Sequence, residues 1–260
     1  MSIKVSCIQF DIKFGSPKEN YHIVKQKISE AMLDNPDIIV LPELWTTGYD
    51  LTRLTEIADS NGDETMKFLS EIAKEHNVYI VGGSIAKKTQ SGVYNTMFAY
   101  SNKGELLGEY SKLHLFKLMD EHLYLESGET EGTFTIANIH CAGVICYDIR
   151  FPEWIRKHTT KGSEVLFVVA EWPLPRLSHW RSLLISRAIE NQCYVVACNR
   201  SGQDPENVFA GHSMIIDPWG EVLVEAGEGE SIIQAELDIE KVRTVRKHIP
   251  IFDDRRPDLY

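Results

Sequence analysis

Short runs rich in valine and isoleucine alternate with amphipathic stretches along most of this chain. That alternation restricts the fold more than any other feature. "IKVSCIQFDI", "DIIVLPE", "VYIVGGSI", "VLFVVAEW" and "YVVACNRSG" are apolar and largely β-branched, as buried strands are. A glycine pair is expected to stop the third of them. Between the runs, "SPKENYHIVKQKISEAML", "DETMKFLSEIAKEHN", "FPEWIRKHTTKG" and "SHWRSLLISRAIENQ" carry apolar residues at helical spacing. Ser16 stands where the first helix would be N-capped and Pro17 at its first position; Pro152 and Gly162 bracket the third. "VYNTMFAYSNKGELLGEYSK" and "HSMIIDPWGEVLVEAG" read as hairpins turning at "NKG" and "DPWG". "TFTIANIHCAGVIC" supplies two more strands, "SIIQAELD" a last one and "IEKVRTVRKHI" a short helix. With no linker, repeat or low-complexity segment, this pattern predicts one α/β domain over residues 1–260 with mixed sheets. Two sheets packed together, with helices outside, would bury so many strands.

A chain of 260 residues that is 43% hydrophobic can bury a sizeable core. Its formal net charge of -11 argues against nucleic acid or an anionic membrane as partner, since both need a basic footprint. It leaves room for an anionic small molecule in a locally basic pocket. "MSIKVSCIQF" lacks the pattern of a secretory leader, and no apolar run reaches the ~20 residues of a membrane span. Cys7, Cys141, Cys146, Cys193 and Cys198 are an odd number without a CxxC pair, which suits reduced thiols in the cytoplasm. The histidines form no HxH or HExxH, so a zinc site is not expected, and the chemistry read below needs neither metal nor cofactor.

Three polar residues close apolar strands. Cys146 ends "CAGVIC", Glu43 ends "DIIVLPE" and Lys112 follows the hairpin strand in "LLGEYSKLHLF". An ionised Glu or Lys is seldom buried without a partner, and α/β folds gather ligand sites at the C-terminal ends of strands. The residue types suit one chemistry. A thiol attacks a carbonyl as thiolate, a carboxylate can take its proton, and an ammonium can stabilise thiolate and oxyanion. The same acid can protonate a leaving amine and then activate water. Taken singly, each has a bland reading: core cysteine, helix cap, solvated lysine. Spacing alone does not bring the three together.

"LPELWTTGY", "YSKLHLF" and "GVICYDIRFPEW" resemble, in order, the three catalytic motifs of the nitrilase (carbon–nitrogen hydrolase) superfamily. The resemblance runs from "VSCIQFDI" to "AELDIEKV" and implies a four-layer αββα sandwich that pairs into dimers or larger assemblies. It implies Glu43 as general base, Lys112 as electrostatic stabiliser and Cys146 as nucleophile. "DEHLYLESG" matches a further family stretch at Glu121, Tyr124 and Gly128, so that Glu121 would orient Lys112; Glu126 and Glu129 compete for that assignment. The oxyanion hole would combine Lys112 with the backbone N–H of Tyr147. A helix N-terminus near the thiol would favour thiolate.

Tyr147 stands where true nitrilases commonly have tryptophan. "CYDIRFPE" looks like the branch containing ω-amidases and deaminated-glutathione amidases, and "HLFKLMDEHLYLESG" and "EWPLPRLSHWRSLL" look most like bacterial ω-amidases, which act on 2-oxoglutaramate and 2-oxosuccinamate. The alternatives are deaminated glutathione, an N-carbamoyl amino acid, or a non-catalytic binding protein on this fold. A 2-oxo carboxylate needs a cation. Arg150 matches an arginine that holds substrate carboxylate in related amidases, or else it bridges Asp148 or Glu153; Arg176 is a second candidate. Tyr49 and Trp172 either line the pocket or pack in the core. Trp154, Ile155, Trp180, Leu184 and Ile185 lie on outer helices, and their surplus apolar surface is expected to form a homodimer interface.

Overall fold

The structure, a computed structural model, describes residues 1–259. The first half runs β1 (Ser2–Gln9), α1 (Pro17–Ala31), β2 (Ile38–Val40), α2 (Leu54–Ile57), β3 (Asp59–Ser60), α3 (Asp63–His76), β4 (Tyr79–Lys88), β5 (Val93–Tyr100) and β6 (Leu106–Ser111). The second half continues with α4 (Glu121–Tyr124), β7 (Thr133–Ile136), β8 (Ile139–Ile145), α5 (Pro152–Thr159), β9 (Val165–Ala170), α6 (Leu177–Asn191), β10 (Tyr194–Asn199), β11 (Met214–Ile216), β12 (Val222–Glu225), β13 (Ser231–Asp238) and α7 (Ile239–His248).

Two mixed sheets result. One is ordered β13-β1-β2-β4-β5-β6, with β3 beside β4; the other is ordered β12-β11-β10-β9-β8-β7. Strands β1, β2 and β4 are mutually parallel, as are β8, β9 and β10. Alternation along each strand sorts its side chains between two layers. In β2, Ile38 and Val40 join the core between the sheets, whereas Ile39 packs with Val24 and Ile28 of α1 and Leu69 and Ile72 of α3. Helices α5 and α6 cover the second sheet, giving the four-layer αββα sandwich. All five cysteines are free and buried, and among the described residues no helix is long and apolar enough to cross a membrane.

Three local expectations change. Gly82 and Gly83 do not stop β4; the strand runs through them with a bulge between Val81 and Ser84. Gly83 has φ +62°, and a Cβ there would sit 2.1 Å from the Pro42 carbonyl oxygen, so only glycine fits beside the Glu43 loop. Ser16 precedes α1 without capping it; its hydroxyl donates to the Phe14 carbonyl at 3.4 Å. Trp154, Ile155, Trp180 and Leu184 are buried within the subunit, and of the five only half-buried Ile185 keeps apolar surface exposed. Two elements meet on one narrow core here, because α5 and α6 pack on each other as well as on the sheet.

Candidate active site

Parallel strands deliver the polar residues to one end of the sandwich. Glu43 follows β2, Cys146 follows β8, and Lys112 leaves antiparallel β6 beside them. Lys112 and Glu43 are fully buried. Lys112 is pinned through its main chain: its N–H donates to the Asn95 carbonyl and its carbonyl accepts from Gly128 N–H, both at 2.8 Å. A Cβ on Gly128 would lie 2.1 Å from the Ser111 carbonyl oxygen, which explains the glycine in "DEHLYLESG".

The Lys112 ammonium donates to Glu43 Oε1 at 2.8 Å and to Glu121 Oε1 at 2.6 Å. Glu121, fully buried, is thus the acid of "DEHLYLESG" that meets the lysine; Glu126 and Glu129 are exposed. Every carboxylate oxygen of the pair is occupied. Glu43 Oε1 also accepts from Asn95 Nδ2 (2.8 Å), and its Oε2 accepts from Glu171 N–H (2.7 Å). Glu121 Oε1 accepts from the Tyr49 hydroxyl (2.5 Å), and its Oε2 from Phe116 N–H (2.7 Å). Burial opposes the charge on Lys112, but Glu121 and Glu43 prevail and hold its pKa well above the usual lysine range. Burial raises the Glu121 carboxyl, Lys112 lowers it and Glu43 raises it, with a net rise.

Cys146 follows β8 at φ +45°, in the left-handed region that favours glycine. Asp148 holds that turn. Its Oδ2 accepts from Ile145 N–H (3.0 Å) and the Tyr110 hydroxyl (2.7 Å), and its Oδ1 from His114 N–H (3.0 Å) and the His114 ring (2.8 Å). One buried carboxylate thereby ties the cysteine turn to the segment carrying Lys112. Arg187 adds a bond from Nε to the Ile149 carbonyl at 2.8 Å. The expected thiolate-favouring helix end does not decide the thiol. Cys146 itself opens the short 3₁₀ turn Cys146–Arg150, and burial, the Glu43 charge and a hydrogen bond to Glu43 push its pKa well above the usual thiol range, against Lys112. Glu43 and Lys112 thus act on this thiol in opposite senses.

A narrow cavity lies over Cys146, walled by Tyr147, Arg150, Glu171, Trp172 and Arg176. Arg150 pairs with neither Asp148 nor Glu153. Its guanidinium lies 4.8 Å over the Trp172 ring, and Nη2 is 3.3 Å from the His179 ring. Arg176 stacks 5.4 Å over Phe116. Among the described residues, neither arginine has an acid partner, and both are half-buried. Tyr49 packs in the core, one of its two readings; its hydroxyl braces Glu121, and it also borders a wider cleft with Leu118, Asp120 and Asn207. Met119 lines both spaces and stands between them. The sequence reading missed Asn95 and the bracing role of Asp148. An asparagine inside the apolar strand "VYNTMFAY" was the available signal.

The carbon–nitrogen hydrolase family model matches residues 4–247. The chain belongs to the carbon–nitrogen hydrolase family. A 2-oxoglutaramate amidase of Bacillus subtilis is 56% identical over 260 residues, covering 100% of both chains. The human protein named omega-amidase NIT2 is 33% identical, covering 100% of this chain and 97% of that one. A carbon–nitrogen hydrolase superfamily protein of Xanthomonas campestris, solved with an arsenic adduct in its active site, superposes with a TM-score of 0.92. It is 27% identical and covers 98% of each chain. This carbon–nitrogen hydrolase is accordingly an enzyme acting on amides.

Proposed function

We propose that this carbon–nitrogen hydrolase is an ω-amidase. It cleaves the terminal amide of 2-oxoglutaramate or 2-oxosuccinamate and releases ammonia through a thioester on Cys146. The observation that carries the substrate class is the pair of half-buried guanidinium groups, Arg150 and Arg176, without acid partners in the wall of the Cys146 cavity. A protein of net charge -11 that keeps two such cations beside a buried thiol suits a small anion. The Bacillus subtilis relative's name supports the same substrate.

Glu43 takes the thiol proton as sulfur attacks the amide carbon, and the electron pair moves to oxygen. Lys112 and the Tyr147 N–H stabilise that oxyanion. Collapse breaks the C–N bond while protonated Glu43 returns its proton to nitrogen, so ammonia leaves. Water then attacks the thioester and gives a proton to Glu43. Collapse of this second oxyanion releases the acid and restores the thiol. Glu121 keeps Lys112 aimed throughout, Trp172 orients the guanidinium of Arg150, and Tyr49 braces Glu121. The sum is amide plus water to acid plus ammonia.

We read the chain as a single functional domain over residues 1–260 and as a cytoplasmic homodimer. Five free thiols support the compartment. Exposed Ile189, Trp219 and Ile249 around one apolar cleft support the dimer. A monomer across micromolar dilution in light scattering would remove the dimer.

The deciding test is ammonia release from 2-oxoglutaramate, glutamine, asparagine, deaminated glutathione and N-carbamoyl amino acids. The 2-oxo amide should lead in kcat/KM. Faster turnover of deaminated glutathione, or carbon dioxide release from a carbamoyl compound, would replace this substrate with that one.

A further inference from the structure

The side chain of Glu171 has no part in the chemistry above. It follows β9 in the wall of the Cys146 cavity and is fully buried. Its Oε2 accepts from Arg200 Nη1 at 2.8 Å. Its Oε1 is buried and has no hydrogen-bond partner among the described residues. Arg200 does not supply one. Its Nη2 donates to Asp11 Oδ1 and the Ile12 carbonyl, both at 3.0 Å, its Nε to the Ser201 carbonyl at 3.2 Å, and its flat face lies 4.1 Å over Phe209. A buried polar atom left unpaired is costly, so the missing partner is expected to come from what enters the cavity.

We propose that Glu171 serves as a neutral carboxylic acid, whose Oε1–H donates to the acid end of the bound 2-oxo amide and selects anionic substrates. The proposal rests on the carboxylate-bearing amide of the preceding section. Arg200 fixes Oε2 as an acceptor, so the proton resides on Oε1. The 2-oxo carboxylate end of such a substrate offers acceptors only. Arg150 and Arg176 draw that end into the same cavity, where an ionised Glu171 would repel it and a protonated one would satisfy it. The charged surroundings agree. Glu43 faces Glu171 from the loop after β2 with Lys112 beyond it, and Tyr49 lies nearby with its hydroxyl held neutral by burial. Asp204 lies within electrostatic reach and Asp11 sits behind Arg200. Burial pushes the Glu171 carboxyl up to about 8, against Arg200 and with Glu43 and Asp204 adding to the rise.

The experiment measures kcat/KM for 2-oxoglutaramate and for neutral propionamide from pH 6.5 to 9.5 and follows their ratio. Groups shared by both reactions cancel in that ratio. In the wild type it should fall about tenfold between pH 7 and pH 9, as the protonated fraction of one group falls. In Glu171→Gln it should stay level. The Gln carbonyl must face Arg200, which leaves its N–H₂ as a permanent donor at the Oε1 position. Glu171→Leu, with no donor, should lower the ratio about tenfold at pH 7. A wild-type fall that persists in Glu171→Gln assigns the titration elsewhere and overturns the proposal. A collapse of the ratio in Glu171→Gln at every pH makes Oε1 an acceptor and overturns it too. If the wild type shows no preference for the anionic amide even at pH 7, the carboxylate reading itself fails. That outcome is distinct from the other two.

Discussion

Lys112 and Arg200 are both fully buried cations, and each bridges two carboxylates. Around Lys112 the circle is closed: with Asn95, Tyr49, and the N–H groups of Glu171 and Phe116, none of the four oxygens of Glu43 and Glu121 lacks a donor. Around Arg200 it is open at Glu171 Oε1. A closed circle sets its charges in place before substrate arrives, so little reorganisation is needed during the reaction. An open one leaves an unmet hydrogen bond, which a fitting ligand can complete and a misfit cannot. The two clusters touch through one residue: the main chain of Glu171 holds Glu43, while its side chain belongs to Arg200.

The largest effect should come from removing the reacting groups the closed cluster serves. Cys146→Ser and Glu43→Gln should each lower kcat/KM for the amide by roughly a thousandfold or more. Near-normal ammonia release by either purified variant would end the thioester mechanism. Next, Lys112→Met should leave Glu43 and Glu121 without their shared cation and cost about 3–5 kcal/mol in urea denaturation. An unchanged midpoint would mean that the cluster is not held by its charge.

A smaller and more selective loss is expected at the cavity wall. Arg150→Ala should remove one charge-assisted contact of about 1.5–3 kcal/mol, or roughly 10- to 150-fold in kcat/KM for 2-oxoglutaramate. Propionamide should be little affected. Equal losses for both amides would remove Arg150 as the carboxylate anchor. The smallest effect concerns stability and pH. The Glu171 carboxyl is raised in the fold from its ordinary 4.5 to about 8, so the native state keeps a proton that the unfolded chain releases. Its contribution is full below about 4.5 and is lost as pH rises toward about 8. The urea midpoint of the wild type should therefore drop relative to Glu171→Gln between pH 5 and pH 8, then run parallel above. Parallel curves throughout would mean an ionised Glu171 and a closed second cluster.

Much of this molecule was legible in its sequence, because hydrophobic periodicity is a local property. The runs "DIIVLPE", "CAGVIC" and "VLFVVAEW" became β2, β8 and β9, and the helical stretches between strands became α1, α3, α5 and α6. The chemical types at the strand ends also mattered: a thiol, an acid and an amine that an apolar strand delivers to one edge. Their meeting in one site came from the family resemblance, not from their spacing. What the tertiary structure alone decided is how buried charges are shared out. Asp148 had been a possible partner for Arg150, but the fold brings Tyr110 and His114 to it, which leaves Arg150 to the cavity. Glu171 read only as the end of an apolar strand. Its character depends on Arg200, at the end of the neighbouring strand β10, and on the absence of a second donor. Periodicity passes along the chain from residue to residue. Hydrogen bonds between buried charges act over a few ångströms of space, and only the packing of strand against strand determines which groups come that close.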